Sequence, residues 1–415
     1  MFKKKISPFT CVVLCVIVCA VTFVAVYSRT LIAEKEKLNS ERLDSAQYGK
    51  YSELIDSVGD DAAKHEKLAK MFDMIESTYV RPSDDNKLWE TLFKTLAESL
   101  GDDYSVYLTS DEYNAMIDSG DGNFVGIGVH AVYDPDTHGI YLFGIIPNSP
   151  AEKAGLKTGD VISAVDGVYS TEESYYDVLD LIRGESGTDV ALTVLRNGES
   201  LEISVTRAPV LSHNVIYEPL ADGIAYIRIL SFADFSVSEE FDAAIAKAQS
   251  DGCERFIFDV RNNGGGYLDE ICAVLDKLLP EGPIINIVDK DGKTTTKDSD
   301  AECINAPMAV LCNGGTASAA ELFTAALRDY ELAEIIGEKT FGKGTMQITQ
   351  QLPDGSALKL SSAFYNPPSN VSYDGIGIIP DCEIKLDEEW QNRFYKMPKE
   401  NDTQLQKAIE VIKGN

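Results

Sequence analysis

Met308-Ala309-Val310-Leu311-Cys312-Asn313-Gly314-Gly315-Thr316-Ala317-Ser318-Ala319-Ala320-Glu321 decides how this 415-residue chain folds. Met308 to Cys312 reads as a buried strand, Gly314-Gly315 as a tight turn, and Ala319 to Tyr330 as a helix. The same alternation runs outward from it. Upstream, Ile224 to Leu230 predicts a strand, Ser236 to Gln249 a helix, Arg255 to Val260 a strand and Tyr267 to Leu279 a helix. Downstream, Thr345 to Gln350 and Ala357 to Ser362 predict strands, and Asp402 to Lys413 a closing helix. Strands alternating with helices argue for a layered α/β core from Val210 onward.

Before Val210 the pattern differs. Gly120 to Pro209 holds short strands, with Gly126-Ile127-Gly128-Val129 and Ile140 to Ile146 among them. Tyr175 to Ile182 is helical, and Asn197-Gly198 turns a hairpin between Val190–Arg196 and Leu201–Arg207. His65 to Ile117 is a helical region. Leu68, Met71, Phe72 and Ile75 recur at helical spacing, then Leu88, Leu92, Leu96 and Leu100 beyond Pro82. Arg29 to about Ala63 is polar and reads as a partly helical stalk.

Phe9 to Ser28 is apolar and uncharged. Twenty helical residues span roughly 30 Å, the thickness of a bilayer core. Lys3, Lys4 and Lys5 precede the run, which predicts a cytoplasmic N-terminus and an extracytoplasmic bulk. A cleaved signal peptide is the rival, but no small-x-small cleavage site follows. Cys19 follows Val18, not a small residue, which argues against a lipoprotein site.

The balance is acidic, with 67 Asp and Glu against 37 Lys and Arg, a net charge of −30. A nucleic-acid partner is disfavoured, since phosphate binding needs a basic face. Five of the eight cysteines lie beyond the apolar run, an odd number without close pairs, and do not form a disulfide framework. The four histidines lie outside any metal-ligand spacing, so neither a zinc site nor a histidine triad is expected, and no cofactor.

Ser318 is the candidate nucleophile. A serine hydroxyl needs a base to take its proton, and a lysine made neutral by burial can serve. Lys343, in Phe341-Gly342-Lys343-Gly344-Thr345-Met346-Gln347, is the candidate base, and Gln347 could orient its amine. Each has a plainer reading. Ser318-x-x-Glu321 is also a capping box. Lys343 would serve equally as a surface turn lysine and Gln347 as an exposed polar residue. Gly264-Gly265-Gly266, after Arg261-Asn262-Asn263, suits an oxyanion loop better than a phosphate cradle, since no Gly-Lys-Ser/Thr follows. A merely tight turn is the third reading.

Together these pieces resemble the carboxyl-terminal processing peptidases, or tail-specific proteases. The resemblance runs from Lys67 to Lys413. It includes Ser99-Leu100-Gly101-Asp102-Asp103-Tyr104-Ser105, Phe124-x-Gly126-Ile127-Gly128-Val129, Ser149-Pro150-Ala151-Glu152-Lys153-Ala154-Gly155-Leu156, Asp259-x-Arg261-Asn262-Asn263, Leu352-Pro353-Asp354-Gly355 and Gly375-Ile376-Gly377-Ile378-Ile379-Pro380-Asp381. The resemblance implies an α/β (α+β overall) architecture with a crotonase-like peptidase core. With the cytoplasmic tail 1–8, anchor 9–28 and stalk 29–63 read from the sequence itself, the expected divisions continue with a helical region 64–119, a PDZ domain 120–209, the core 210–390 and a closing segment 391–415.

By the same resemblance Ser318 is the nucleophile, Lys343 the general base and Gln347 its positioner. Ala319 and Gly265 supply oxyanion N–H groups. Phe124, Val125, Gly126, Ile127, Gly128 and Val129 form the loop that holds a substrate carboxylate. The implied substrates are proteins or peptides with apolar C-termini. The resemblance leaves room for a homodimer through helices 65–117 and for a regulatory partner protein. Thr316 and Ala320 stand where the family often has serine, Gly264 where it has proline, and Asn370-Val371 where Gly-Arg is common. Two other readings remain: a binding scaffold without turnover, and a non-proteolytic crotonase-like enzyme acting on acyl compounds. The intact Ser318, Lys343 and Gln347 weigh against the first, and the PDZ-like segment against the second.

Overall fold

The computed structural model describes residues 61–120, 123–211 and 213–414. The expected anchor at 9–28 lies outside them. None of the described helices is long and apolar enough to cross a membrane.

The chain divides into two compact units, the first ending at Trp89. Helix α1 (Asp61–Thr78) of the first unit ends before Pro82, and α2 (Asp85–Glu98) starts after it and continues past Trp89. Phe72 stacks on Trp89 with ring centroids 4.3 Å apart. Met71 and Met74 stay exposed.

In the second unit, β1 (Val106–Leu108) and α3 (Ser110–Gly120) lead to the small sheet module. Strands β2 (Asn123–Gly126), β3 (Val129–Asp134), β4 (Gly139–Ile145), β5 (Val161–Val165), β6 (Val168–Tyr169), β7 (Asp189–Arg196), β8 (Glu199–Thr206) and β9 (Ala208–Leu211) build it. The sheet runs β3-β4-β5-β7-β8, and β2 pairs with β9. The helices α4 (Pro150–Lys153) and α5 (Tyr175–Ile182) flank it. Ile127, Leu142, Ile162, Val178 and Leu192 close its core.

The run Gly126 to Val129 is not one strand, as its alternation suggested. β2 ends at Gly126 and β3 begins at Val129, with a turn between. Gly128 adopts φ +82°, and a Cβ there would come 2.3 Å from Ser149 Cβ. Only glycine fits, and that conformation ends the pairing.

The larger sheet runs β10-β11-β12-β15-β16-β19, in order β10 (Val215–Leu220), β11 (Ile224–Ile229), β12 (Arg255–Asp259), β15 (Met308–Cys312), β16 (Ala333–Gly337) and β19 (Cys382–Glu383). Only β10 is antiparallel to its neighbour. Helices α6 (Val237–Ser250), α7 (Leu268–Asp276) and α8 (Ala319–Asp329) cover one face, where Ile227, Phe258, Val310 and Ile335 meet Phe241, Leu275 and Phe323. On the other face Tyr226, Ile257, Leu311 and Ile336 meet Leu405, Ala408 and Ile412. Period-two strands buried on both sides explain why these runs read as continuously apolar.

A second sheet is antiparallel. Its long strand β18 (Ala357–Asn366) pairs with β17 (Thr345–Gln351) along one edge. On the other edge lie β1 and β13 (Gly282–Asp289), the latter carrying β14 (Thr294–Ser299). β10, β13, β14 and β16 were not foreseen. Between the short helices α9 (Glu388–Gln391) and α10 (Thr403–Ile412), the closing segment braces the small module. Arg393 lies 2.5 Å from Asp136 and Lys396 lies 2.6 Å from Asp134.

Arg261, at the end of β12, is buried and fully committed. Its guanidinium donates to both oxygens of Asp259 (2.9 and 2.6 Å) and of Asp402 (3.0 and 2.8 Å), and to Gln404 Oε1 at 2.9 Å. It ties the last helix to the sheet. Arg261→Ala takes the guanidinium from two buried carboxylates, leaving Asp259 only the influence of Arg228, an expected loss of about 3–5 kcal/mol. Urea unfolding measures it; a loss below about 1 kcal/mol would show the network to be dispensable.

Candidate active site

Loops leaving the carboxyl ends of the parallel strands β12, β15 and β16 converge, the position where open α/β sheets bind ligands. Hydrogen bonds stitch them together. Thr316 Oγ1 donates to the Val260 carbonyl (2.9 Å), Ala317 N–H to the Asn263 carbonyl (2.9 Å), and Phe341 N–H to the Thr316 carbonyl (3.0 Å).

Ser318 stands at the first turn of α8 with φ 57° and ψ −121°. A non-glycine residue in that region stores about 1–3 kcal/mol of strain, which functional sites characteristically carry. Gly265 lies against it, with φ +96°, and a Cβ there would sit 2.6 Å from Ser318 Cβ and 2.8 Å from Ala319 N. The glycine loop is thus a close approach of two backbones, more than a tight turn. The Ala319 N–H makes no hydrogen bond among the described residues, as expected at a helix start. The Gly265 N–H donates to Asn263 Oδ1 at 2.9 Å.

Glu321 does more than cap. Its buried carboxylate accepts from Ser318 N–H (2.9 Å), Thr340 Oγ1 (2.6 Å), Gly342 N–H (2.6 Å) and Lys343 N–H (2.7 Å). Burial raises its pKa, while these four donors favour the charged form. One side chain therefore fixes the Ser318 turn and the lysine loop against each other. The capping-box spacing showed the first contact only; the others come from loops about twenty residues on.

The glycines around Lys343 are dictated by neighbours. Gly342 has φ +99°, and a Cβ there would approach Gly377 N to 2.8 Å. Lys343 is half-buried and opens into the same groove, of about 980 Å³, as Ser318, Ala319, Gly265 and Gln347. Burial lowers its pKa below the ordinary lysine value, and Lys359 adds to the shift; Asp102 and Glu321 oppose it. Its ammonium lies 4.0 Å over the Tyr104 ring. No hydrogen bond joins it to Ser318 Oγ here.

Gln347 shares the groove although a bulge between Met346 and Gln347 breaks the two-residue period of β17. Its amide donates to Ser361 Oγ (3.1 Å) and to Thr345 (3.2 and 3.3 Å), not to Lys343. A residue missed entirely is Tyr365. Its hydroxyl lies 3.0 Å from Ser318 Oγ and 3.0 Å from the Lys343 carbonyl. No local spacing marks it, because it reaches the site along β18.

In the small module, the Ile127 carbonyl accepts from Ala151 N–H at 2.7 Å and the Gly128 carbonyl from Ile146 N–H at 3.1 Å. The N–H groups of Ile127 and Gly128 make no hydrogen bond among the described residues. Ile127 is fully buried, and Val129 is half-buried against the same core. Val125 is half-buried and Gly126 buried, both in the β2–β9 ribbon. Phe124 pairs with Val210 in that ribbon, but its side chain lies outside the described set.

Comparison with known proteins bears on these parts. The model of peptidase family S41 matches residues 223–384, a PDZ domain model matches 144–196, and that of the activating protease CtpB N-terminal domain matches 16–112. The chain is therefore a mixed α/β protein with a PDZ domain and an S41 peptidase core. It is similar to the "Probable CtpA-like serine protease" of Staphylococcus haemolyticus, at 33% identity over 329 residues and 78% of this chain. The match spans 66% of that protein's length. Among solved structures, a Bacteroides fragilis protein assigned to the S41 proteases is similar at TM-score 0.55 and 20% identity, over 81% of this chain and 92% of that one. A photosystem II D1 C-terminal processing protease matches at 28% identity and TM-score 0.49, over 79% and 90%.

Proposed function

The chain belongs to the family of carboxyl-terminal processing peptidases, and on that premise we propose that it is a serine endopeptidase that reads protein C-termini through its PDZ domain and cleaves with Ser318 and Lys343. The observation that carries this is the strained Ser318, set against Gly265 and a free Ala319 N–H, in one groove with a half-buried lysine of lowered pKa.

Ser318 Oγ attacks a peptide carbonyl while Lys343 Nζ takes its proton. The oxyanion receives the Ala319 N–H, and competes with Asn263 Oδ1 for that of Gly265. Lys343 protonates the leaving amine, then activates the water that frees the acyl group. Gln347 orients the lysine once its amide turns from Ser361. No step calls for a metal.

The PDZ domain binds an apolar tail as a strand added to the edge of β3, with the carboxylate on the N–H groups of Ile127 and Gly128. The test uses the Ser318→Ala chain and three matched peptides. A free apolar C-terminus binds; amidation, or Asp in the last position, weakens binding about tenfold or more, on the order of 1.4 kcal/mol. Fluorescence anisotropy reads the affinities. Equal values would remove the tail-specific part of the proposal.

The apolar run 9–28 behind three lysines supports a single-pass anchor with the catalytic part extracytoplasmic. Retention in membranes after alkaline extraction tests it. Leu96 and Leu100, both exposed apolar residues of the helical arm, support a homodimer through it. Sedimentation of the chain with and without Leu96→Glu tests that.

A further inference from the structure

We propose that Tyr365 is a catalytic hydrogen-bond donor to Ser318 Oγ, stabilising the charge that grows there as the serine loses its proton. This rests on Ser318 being the nucleophile.

Tyr365 lies near the end of β18, 5% exposed, with its ring edge-on to Tyr373 at 6.1 Å. Its oxygen is 3.0 Å from Ser318 Oγ and 3.0 Å from the Lys343 carbonyl. A phenol has one proton, a carbonyl can only accept, and a serine hydroxyl can do either. Two arrangements are therefore open. The geometry has Tyr365 as the donor in both contacts, so its one proton has two acceptors: in one arrangement it goes to the Lys343 carbonyl, with Ser318 Oγ left without it. In the other, Tyr365 donates to Ser318 Oγ, and the serine proton is free for another acceptor.

The first suits a resting site, and it fits the Lys343 ammonium lying over Tyr104 instead of on Ser318. The second is what attack requires. As the Ser318 proton passes to Lys343 Nζ, the serine oxygen can no longer donate, and it gains negative charge. Tyr365 then turns its O–H from the lysine carbonyl to that oxygen. Its own O–H bond stays intact, so the proton count is unchanged. Burial pushes the phenol well above its ordinary pKa, which keeps the donor proton in place.

The plainer reading is a buried tyrosine that satisfies its hydroxyl with whatever acceptors are near. Kinetics on the full chain separate the two. Tyr365→Phe should lower kcat about 100-fold, the scale of one lost oxyanion donor, with KM within about twofold. Labelling of Ser318 by a fluorophosphonate should slow by a similar factor. The rising limb of kcat/KM, set by Lys343, should stay where it is in the wild type. Replacement by 3-fluorotyrosine keeps the ring and the donor, and should restore labelling to within about threefold. It also carries the test if the phenylalanine chain does not fold; labelling slowed more than tenfold in the fluorotyrosine chain would overturn the proposal. Labelling and kcat of Tyr365→Phe within twofold of wild type would overturn it too. So would a displaced rising limb, since the tyrosine would then act through Lys343. Ser318→Ala is the control. A wild type unlabelled at Ser318 sinks the nucleophile reading along with this one; a wild type labelled no faster than Tyr365→Phe sinks only the tyrosine.

Discussion

Ser318→Ala is expected to remove peptide turnover by about 10⁴–10⁶-fold, the scale on which single nucleophile deletions act in serine peptidases. The fold should survive it. The contacts that set the Ser318 turn are made by its backbone: its N–H donates to Glu321, and its carbonyl accepts from Glu321 and Leu322 N–H. The side chain itself contributes a contact with Tyr365. Stability should therefore change by about 2 kcal/mol or less, within the range of a lost cap. A fluorogenic peptide assay and thermal melting, run on the same preparation, test both halves. Near wild-type turnover in the alanine chain would mean that Ser318 only caps α8, and the catalytic assignment would be withdrawn.

Lys343→Arg should be almost as damaging, although it keeps the charge. Arginine does not give up its proton in a protein, so it cannot act as base. The wild-type profile should show the reason. The base works only when neutral, so activity rises with pH through the Lys343 pKa. Burial first, then Lys359, move that pKa below the ordinary lysine value, and the rise should come at correspondingly lower pH. Lys359→Gln removes the second contribution and should move the rise upward. Measurable turnover in Lys343→Arg, or a rise that ignores Lys359, would point to another base.

Much of this was legible in the residues. Met308 to Cys312 is the strand its composition predicted, and Tyr175 to Ile182 the helix. Ser318 and Lys343 declared themselves through glycine, since the backbone approaches that force Gly265, Gly342 and Gly344 are written into the sequence. What stayed hidden depends on long-range pairing. β13 and β14 form on the edge of β18, some eighty residues later in the chain, and nothing within 282–299 announces it. Tyr365 looked like one more strand aromatic. Glu321 looked finished once its capping role was seen, because its remaining lone pairs are filled from residues 340–343. The orientation of Gln347 toward Ser361 and of Gly265 N–H toward Asn263 are choices among partners, which no spacing rule ranks.

Glu321 also sets a schedule for biosynthesis. A ribosome delivers Ser318 well before Thr340, Gly342 and Lys343, and until those arrive the carboxylate lacks three of its four donors. The bend at Ser318 is costly, and until then only the local contacts of its own N–H and carbonyl hold it. On the proposed Ser318–Lys343 assignment, hydrolytic competence would be acquired only when the lysine loop reaches the glutamate and β18 brings Tyr365 to the serine. A nascent or truncated chain ending before residue 344 would then hold Ser318 without the loop proposed to supply its base.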